Sequence, residues 1–160
     1  MKKLIVSCFI FLGAFGLLKA QEGFAIKAGI NNVTFDLDGF GSTSEMGFYL
    51  GGSYTFDTNG EIQIEPSVLV SIVDDLNALY IPVMAKYGVS DQFNLQAGPQ
   101  INYILEDIDN GAFGLDLGLG AGFDISDKLF LEARYAFEII RDLDNGSINT
   151  LTVGVGYRID

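Results

Sequence analysis

The chain has 160 residues, 49% of them hydrophobic, with nine basic residues against 21 acidic ones, one cysteine and no histidine. One domain is the default at this length. The net charge of −12 argues against a nucleic-acid partner, because phosphate binding needs a basic footprint, and the missing histidine removes the usual activator of a serine nucleophile.

Residues 1–20 read as a secretory signal peptide. Lys2 and Lys3 form a charged start, Leu4 to Leu18 an apolar stretch, and Lys19-Ala20-Gln21 a cleavage point. The stretch is too short to favour a spanning helix. Ile5-Val6-Ser7-Cys8 resembles a lipoprotein box but sits too early in the signal, so Cys8 reads as a small apolar residue. Once the signal is removed no thiol remains, and disulfides, a cysteine nucleophile and thiolate metal ligands drop out. Removal also takes Lys2, Lys3 and Lys19. Nine less three leaves six basic residues against 21 acidic ones, a net charge of −15.

Residues 22–160 are expected to form eight strands. Strand one runs from Phe24 to about Phe35, with Phe24, Ile26, Ala28 and Ile30 on one face and Ala25, Lys27, Gly29 and Asn31 on the other. Glu45–Phe56, Glu61–Ile72, Leu79–Val89 and Phe93–Leu105 follow with the same alternation. Strand six is the clearest. From Phe113 to Ile125 every odd position is apolar, while glycine and aspartate dominate the even ones. Leu129–Ile139 and Thr150–Ile159 complete the set. Period-two alternation marks a strand, and these runs match the about 9–11 residues of a transmembrane strand rather than the about 5–6 of a soluble one. A solvated face would carry Lys, Glu and Thr. A glycine-rich face suits a crowded interior, which turns the bulky apolar face toward lipid.

The connections alternate. Residues 57–60, 90–92 and 126–128 are tight turns, whereas 36–44, 73–78, 106–111 and 140–149 are longer and acidic. That rhythm describes an all-β, eight-stranded antiparallel up-and-down transmembrane β-barrel, with its short turns toward the periplasm and its loops outside. Aromatic residues collect near strand ends, as interfacial girdles require. Pro66, Pro82 and Pro99 fall inside strands of a barrel with no free edge, so each is expected at a bulge, a strand end or a place where a missing donor is tolerated. The alternative fold is a soluble lipocalin-like barrel with the apolar face inside and a small ligand bound.

Leu79-Tyr80-Ile81-Pro82-Val83-Met84-Ala85-Lys86-Tyr87-Gly88 resembles the Tyr-x-x-Ile-Pro-x-x-x-Lys-Tyr region of the outer-membrane β-barrel (porin-family, PorT-like) domain. Leu95-Gln96-Ala97-Gly98-Pro99-Gln100 is similar to that family's following Gly-Pro strand, and Gly154-Val155-Gly156-Tyr157-Arg158 to its closing strand. The resemblance spans residues 22–160. Closing strands of such barrels usually finish on an aromatic residue that the insertion machinery is thought to read; here Ile159-Asp160 stands in that place. The resemblance implies a barrel in the cell outer membrane, surrounded by lipid and placed there by the outer-membrane insertion machinery, most simply as a monomer.

The polar face also collects charge. Lys27, Glu65, Lys86, Asp116, Glu132, Arg134, Glu138 and Arg158 form the candidate interior network, joined on the same face by Glu45, Glu61 and Asp124. Charges enclosed this way must be paired or hydrated. They make either a salt-bridged plug or a narrow polar pore for small solutes, and an interior just wide enough for its own side chains favours the plug. No catalytic site is expected, since carboxylate pairs without a cleft do not make a glycosidase. No cofactor is expected either. Asp36, Asp38, Asp74, Asp75, Glu106, Asp107 and Asp109 read as solvated loop charges, with calcium as their alternative ligand. The function that follows is a non-enzymatic, structural or surface-interaction protein of the outer membrane.

Overall fold

The computed structural model describes residues 23–159, apart from 38, 59, 75, 108–110 and 142–145. The expected signal peptide lies outside these residues. Nine paired segments make eight strands, because Gly41–Tyr54 and Phe56–Asp57 are one strand interrupted at Thr55. They are β1 (Phe24–Leu37), β2 (Gly41–Tyr54 with its continuation Phe56–Asp57), β3 (Ile62–Ile72), β4 (Ala78–Gly88), β5 (Phe93–Ile104), β6 (Phe113–Asp124), β7 (Leu129–Arg141) and β8 (Gly146–Ile159). Each strand pairs antiparallel with the next. β1 also pairs with β8, so the sheet closes on itself and abolishes its edges over the height of the barrel wall. Among the described residues no helix is long and apolar enough to cross a membrane; here the strands cross.

The alternation sorts as expected. Phe48, Leu50, Leu95, Leu117, Leu119, Leu131 and Val153 point outward and are exposed, while Lys27, Asn31, Glu65, Gln96, Asp116 and Arg134 are buried inside. A lipocalin-like barrel requires the opposite sorting, so that alternative is set aside. Outward aromatics form two belts. Phe93 pairs with Phe123 at the turn end, and Tyr103 pairs with Phe113 at the loop end. The steps from Phe113 to Phe123 span about 34 Å along the strand. At a tilt of about 40° this is about 26 Å of membrane thickness, matching the apolar band of an outer-membrane barrel.

The glycines of the inner face make room. A Cβ on Gly156 would lie 2.0 Å from Cζ of Phe130 on β7, and one on Gly120 would lie 2.7 Å from Cγ of Arg134. Gly156→Ala should therefore displace the Phe130 ring and cost about 1–3 kcal/mol as overpacking. Urea unfolding in lipid vesicles reads this, and adding Phe130→Leu should restore part of the loss. An unchanged midpoint would show that Phe130 has space to move.

The strands differ from expectation at the loop end. Residues 36–44 are not a long loop: β1 and β2 pair without a break up to Leu37↔Gly41, so only residues 38–40 connect them. Beyond Asn31 the faces exchange character. Val33 and Phe35 turn inward and Asn32, Thr34 and Asp36 outward, because this part stands above the lipid and its outer face meets water. β8 likewise begins at Gly146 rather than Thr150. β7 continues to Arg141 through a bulge, where Asp116 pairs with Glu138 and Leu115 with Ile140, so Ile139 has no partner on β6. That one-residue slip leaves Ile139 and Ile140 both outside and turns Arg141 inward.

The prolines sit where the ladder is interrupted. Pro82 faces Ser67, and Pro99 faces Val83, in two-residue gaps of otherwise regular registers. Pro66 lies beside the break in β2 at Thr55. On its other side each proline keeps a ladder pair, Pro66 with Val83, Pro82 with Gln100 and Pro99 with Leu117, so the missing donor is accommodated on the interrupted side.

Candidate functional site

The barrel interior holds one continuous charge cluster in its turn-end half. Glu65 of β3 is its hub. It accepts hydrogen bonds from Lys27 of β1 at Oε1, from Lys86 of β4 at Oε2 (2.9 Å), from Nη2 of Arg134 of β7 at Oε1 (2.7 Å), and from Thr55 at Oε2 (3.2 Å). Glu132 is the second acceptor, taking Lys27 Nζ and Arg134 Nη2, each at 2.9 Å. Arg134 Nε donates to Gln96 of β5 at 2.7 Å. All five charged side chains are at most 5% exposed. β3 and β7 stand on opposite walls of the barrel, so the Glu65–Arg134 pair crosses the lumen. Local sequence makes this possible. Glu132 and Arg134 are two apart and share the inner face, and Gly120 and Gly122 on β6 beside them carry no side chain to obstruct them.

The Phe130 ring underlies the cluster. Lys27 Nζ lies 5.5 Å from its centroid, Lys86 Nζ 5.2 Å, and the Arg158 guanidinium 4.7 Å, distances at which a cation is attracted by the ring face.

Three of the eight expected network residues lie elsewhere. Asp116 accepts from Gln100 Nε2 at 3.0 Å and touches none of the five, and its Oδ1 is buried without a partner. Glu138 binds Nε of Arg141 at 2.5 Å, and Arg141 Nη1 also donates to the Gly111 carbonyl at 2.6 Å. Arg158 binds Asp124 at 2.5 Å at the turn end, where both are about three-tenths exposed. Arg141 and Gln96 were missed from sequence. The signal for Arg141 was Ile139-Ile140, two apolar residues in succession, which an alternating strand allows only at a bulge.

The two ends of the lumen differ. At the loop end Val33, Val73, Ile104 and Ile148 form a buried apolar cap, with Phe35 and Leu76 packed against it. At the turn end a vestibule of about 560 Å³ opens between Asp57, Gln63, Asp91 and Asp127, and reaches inward to Lys86 and Arg158. Among the described residues no three His, Cys, Asp or Glu side chains gather closely enough to hold a metal ion. Of the acidic loop positions, Asp38, Asp75 and Asp109 lie outside the described residues.

Comparison with known proteins places this architecture. Neisserial surface protein A matches with a TM-score of 0.59 at 16% identity, over 85% of this chain and 97% of that one. Ail, the attachment invasion locus protein of Yersinia pestis, matches with a TM-score of 0.56 at 19% identity, over 86% and 99%; it has also been crystallised with the heparin analogue sucrose octasulfate. The outer membrane enzyme PagL matches with a TM-score of 0.63 at 14% identity, over 83% and 98%. At these identities the likeness is one of fold. Among curated protein sequences nothing matches the chain significantly. The family described as outer membrane protein beta-barrel domain matches residues 7–158. With nearly the whole chain matched, and the barrel, its lipid-facing belt and its aromatic girdles in place, the chain belongs to that family and resides in the cell outer membrane.

Proposed function

We propose that the protein is a non-enzymatic barrel whose lumen is closed and whose working part is the surface at its loop end. The carrying observation is the Glu65 hub. Three cations and two carboxylates tie β1, β3, β4 and β7 together across the lumen, beneath the apolar cap. Such a layer leaves neither a path nor a reactive group, because both carboxylates are already committed to cations. PagL shows that this fold can carry an enzyme, but the absence of histidine here argues against the usual hydrolytic arrangement. Ail's heparin analogue is a polyanion. The acidic loops of this chain favour the opposite charge in a partner. The protein is read as a monomer inserted by the outer-membrane insertion machinery. The strand from Leu79 to Gly88 supports a PorT-like branch of the family.

The second reading is a narrow channel for small solutes, favoured by the open vestibule at the turn end and its polar lining. Recording from purified protein in planar bilayers separates the two. A closed barrel gives no steady conductance. Reproducible unitary steps would overturn the plug and make the vestibule the mouth of a pore.

A further inference from the structure

β2 is paired on both sides from Phe48 to Ser53, with β1 and with β3. Beyond that it rises alone on one side. β3 ends at Ile72, whereas β2 continues to Gly41 against β1, in unbroken register from Asn32↔Met46 to Leu37↔Gly41. Among the described residues nothing pairs with the outer side of Gly41–Met46, and all six of these residues are exposed. The extension β2–β1–β8 therefore has two edges among the described residues: that of β8, Gly146–Asn149, is buried or half-buried, whereas that of β2 is exposed throughout and about 20 Å long at about 3.3 Å per residue. Proteins usually blunt such edges with lysine, proline or a bulge. The run Gly41-Ser42-Thr43-Ser44-Glu45-Met46 has none of these, and its one charged residue is the acid Glu45, which repels an acidic chain and not a basic one.

The charge around the edge selects its occupant. Asp36, Glu45, Asp74, Glu106 and Asp107 are the acids with exposed or half-exposed side chains among the described residues at this end of the barrel. Its one cation among the described residues, Arg141, has a fully buried side chain held by Glu138. The field met by an approaching chain is negative. It repels a polyanion, and it repels a second copy of a protein that is itself strongly acidic. Beside the edge stand Phe40 at the hairpin tip, 91% exposed, and Met46, 66% exposed, as apolar anchors.

We propose that the outer edge of β2, Gly41–Met46, is a strand-addition site for an extended, lysine- or arginine-rich segment of another protein. The segment's main chain takes the free donors and acceptors of β2, and its basic side chains meet the acidic rim. The proposal deepens the reading of the loop end as the working part and rests on it. The conductance experiment judges that reading by itself, so the two fail separately.

The test uses the full mature protein in phosphatidylcholine nanodiscs. The probe is a short capped peptide alternating lysine with valine. Its addition should slow hydrogen–deuterium exchange of the amides from Ser42 to Met46. Methylating alternate peptide nitrogens removes strand donors and should weaken binding about tenfold or more. Exchanging lysine for glutamate should weaken it at least as much. Adjacent strand amides point to opposite sides, so one of Thr43→Pro and Ser44→Pro should abolish binding with the hairpin intact, and the other should disturb the pairing with β1. The methylated peptide keeps the test decisive if both variants misfold. Binding insensitive to methylation, or protection outside Gly41–Met46, would reduce the site to diffuse charge attraction and overturn the proposal. Protection appearing without peptide, together with a dimer in mass photometry, would make a second copy the occupant and overturn it too. No protection at millimolar peptide would end it.

Discussion

Glu65→Ala should cost about 3–5 kcal/mol of stability in a bilayer, the expected price of removing one partner from a buried ion pair. The structure makes Glu65 the residue to remove. It is acceptor to Lys27, Lys86 and Arg134 at once, and only Glu132 would remain to face those three cations. Lys86 would lose its carboxylate altogether, since Glu65 is the only acid within bonding distance of it among the described residues. Arg134→Ala should cost less than Glu65→Ala. Both carboxylates would keep Lys27, and Glu65 would also keep Lys86. Lys128→Ala, in an exposed turn, should hardly move the midpoint. Reversible urea unfolding in lipid vesicles gives the order. Equal and small effects at Glu65, Arg134 and Lys128 would mean that water reaches the cluster and that the barrel is not held by it.

The sequence made the wall legible and the rim illegible, for a physical reason. Between the two aromatic belts one rule governs every strand: apolar side chains face lipid and small or polar ones face inward. From Phe113 to Asp124 this rule reproduces the structure residue by residue. Above the lipid the solvents change places. The outer face of β1 meets water at Asn32, Thr34 and Asp36, and its inner face packs Val33 and Phe35 into the cap. A rule that expects apolar residues outside stops there, and it takes the continuing strand for loop. The same limit hid the apolar cap and the free edge of β2, because both depend on which strand outlasts its neighbour. The charge cluster was legible as a set of inward positions but not as a set of partners. Inward parity put Asp116 and Arg134 on one face, while height along the barrel sends Asp116 to Gln100 and Arg134 to Glu65. Arg141 escaped because a bulge shifts the parity that revealed the others.

The second large effect tests the outward face. Leu119 lies midway between the girdle residues Phe113 and Phe123 on β6, in an outward row with Ala97 of β5 and Tyr135 of β7. It is 45% exposed with no protein covering it, so its surroundings in the membrane are acyl chains. Leu119→Arg puts a guanidinium at mid-bilayer and should destabilise the barrel by about 2–4 kcal/mol, whereas Phe113→Arg, at the headgroup level, should cost only about 0–1. The contrast depends on depth and not on side-chain size, since both substitutions replace a large apolar residue with arginine on the same strand and the same face. A barrel in water with its apolar residues inside would give a different pattern, because arginine at either position would enter the core and both variants would fail to fold. Vesicle unfolding of the two proteins decides between these outcomes. Equal losses at the two positions would show that no hydrocarbon layer separates them and would overturn the membrane placement of β6.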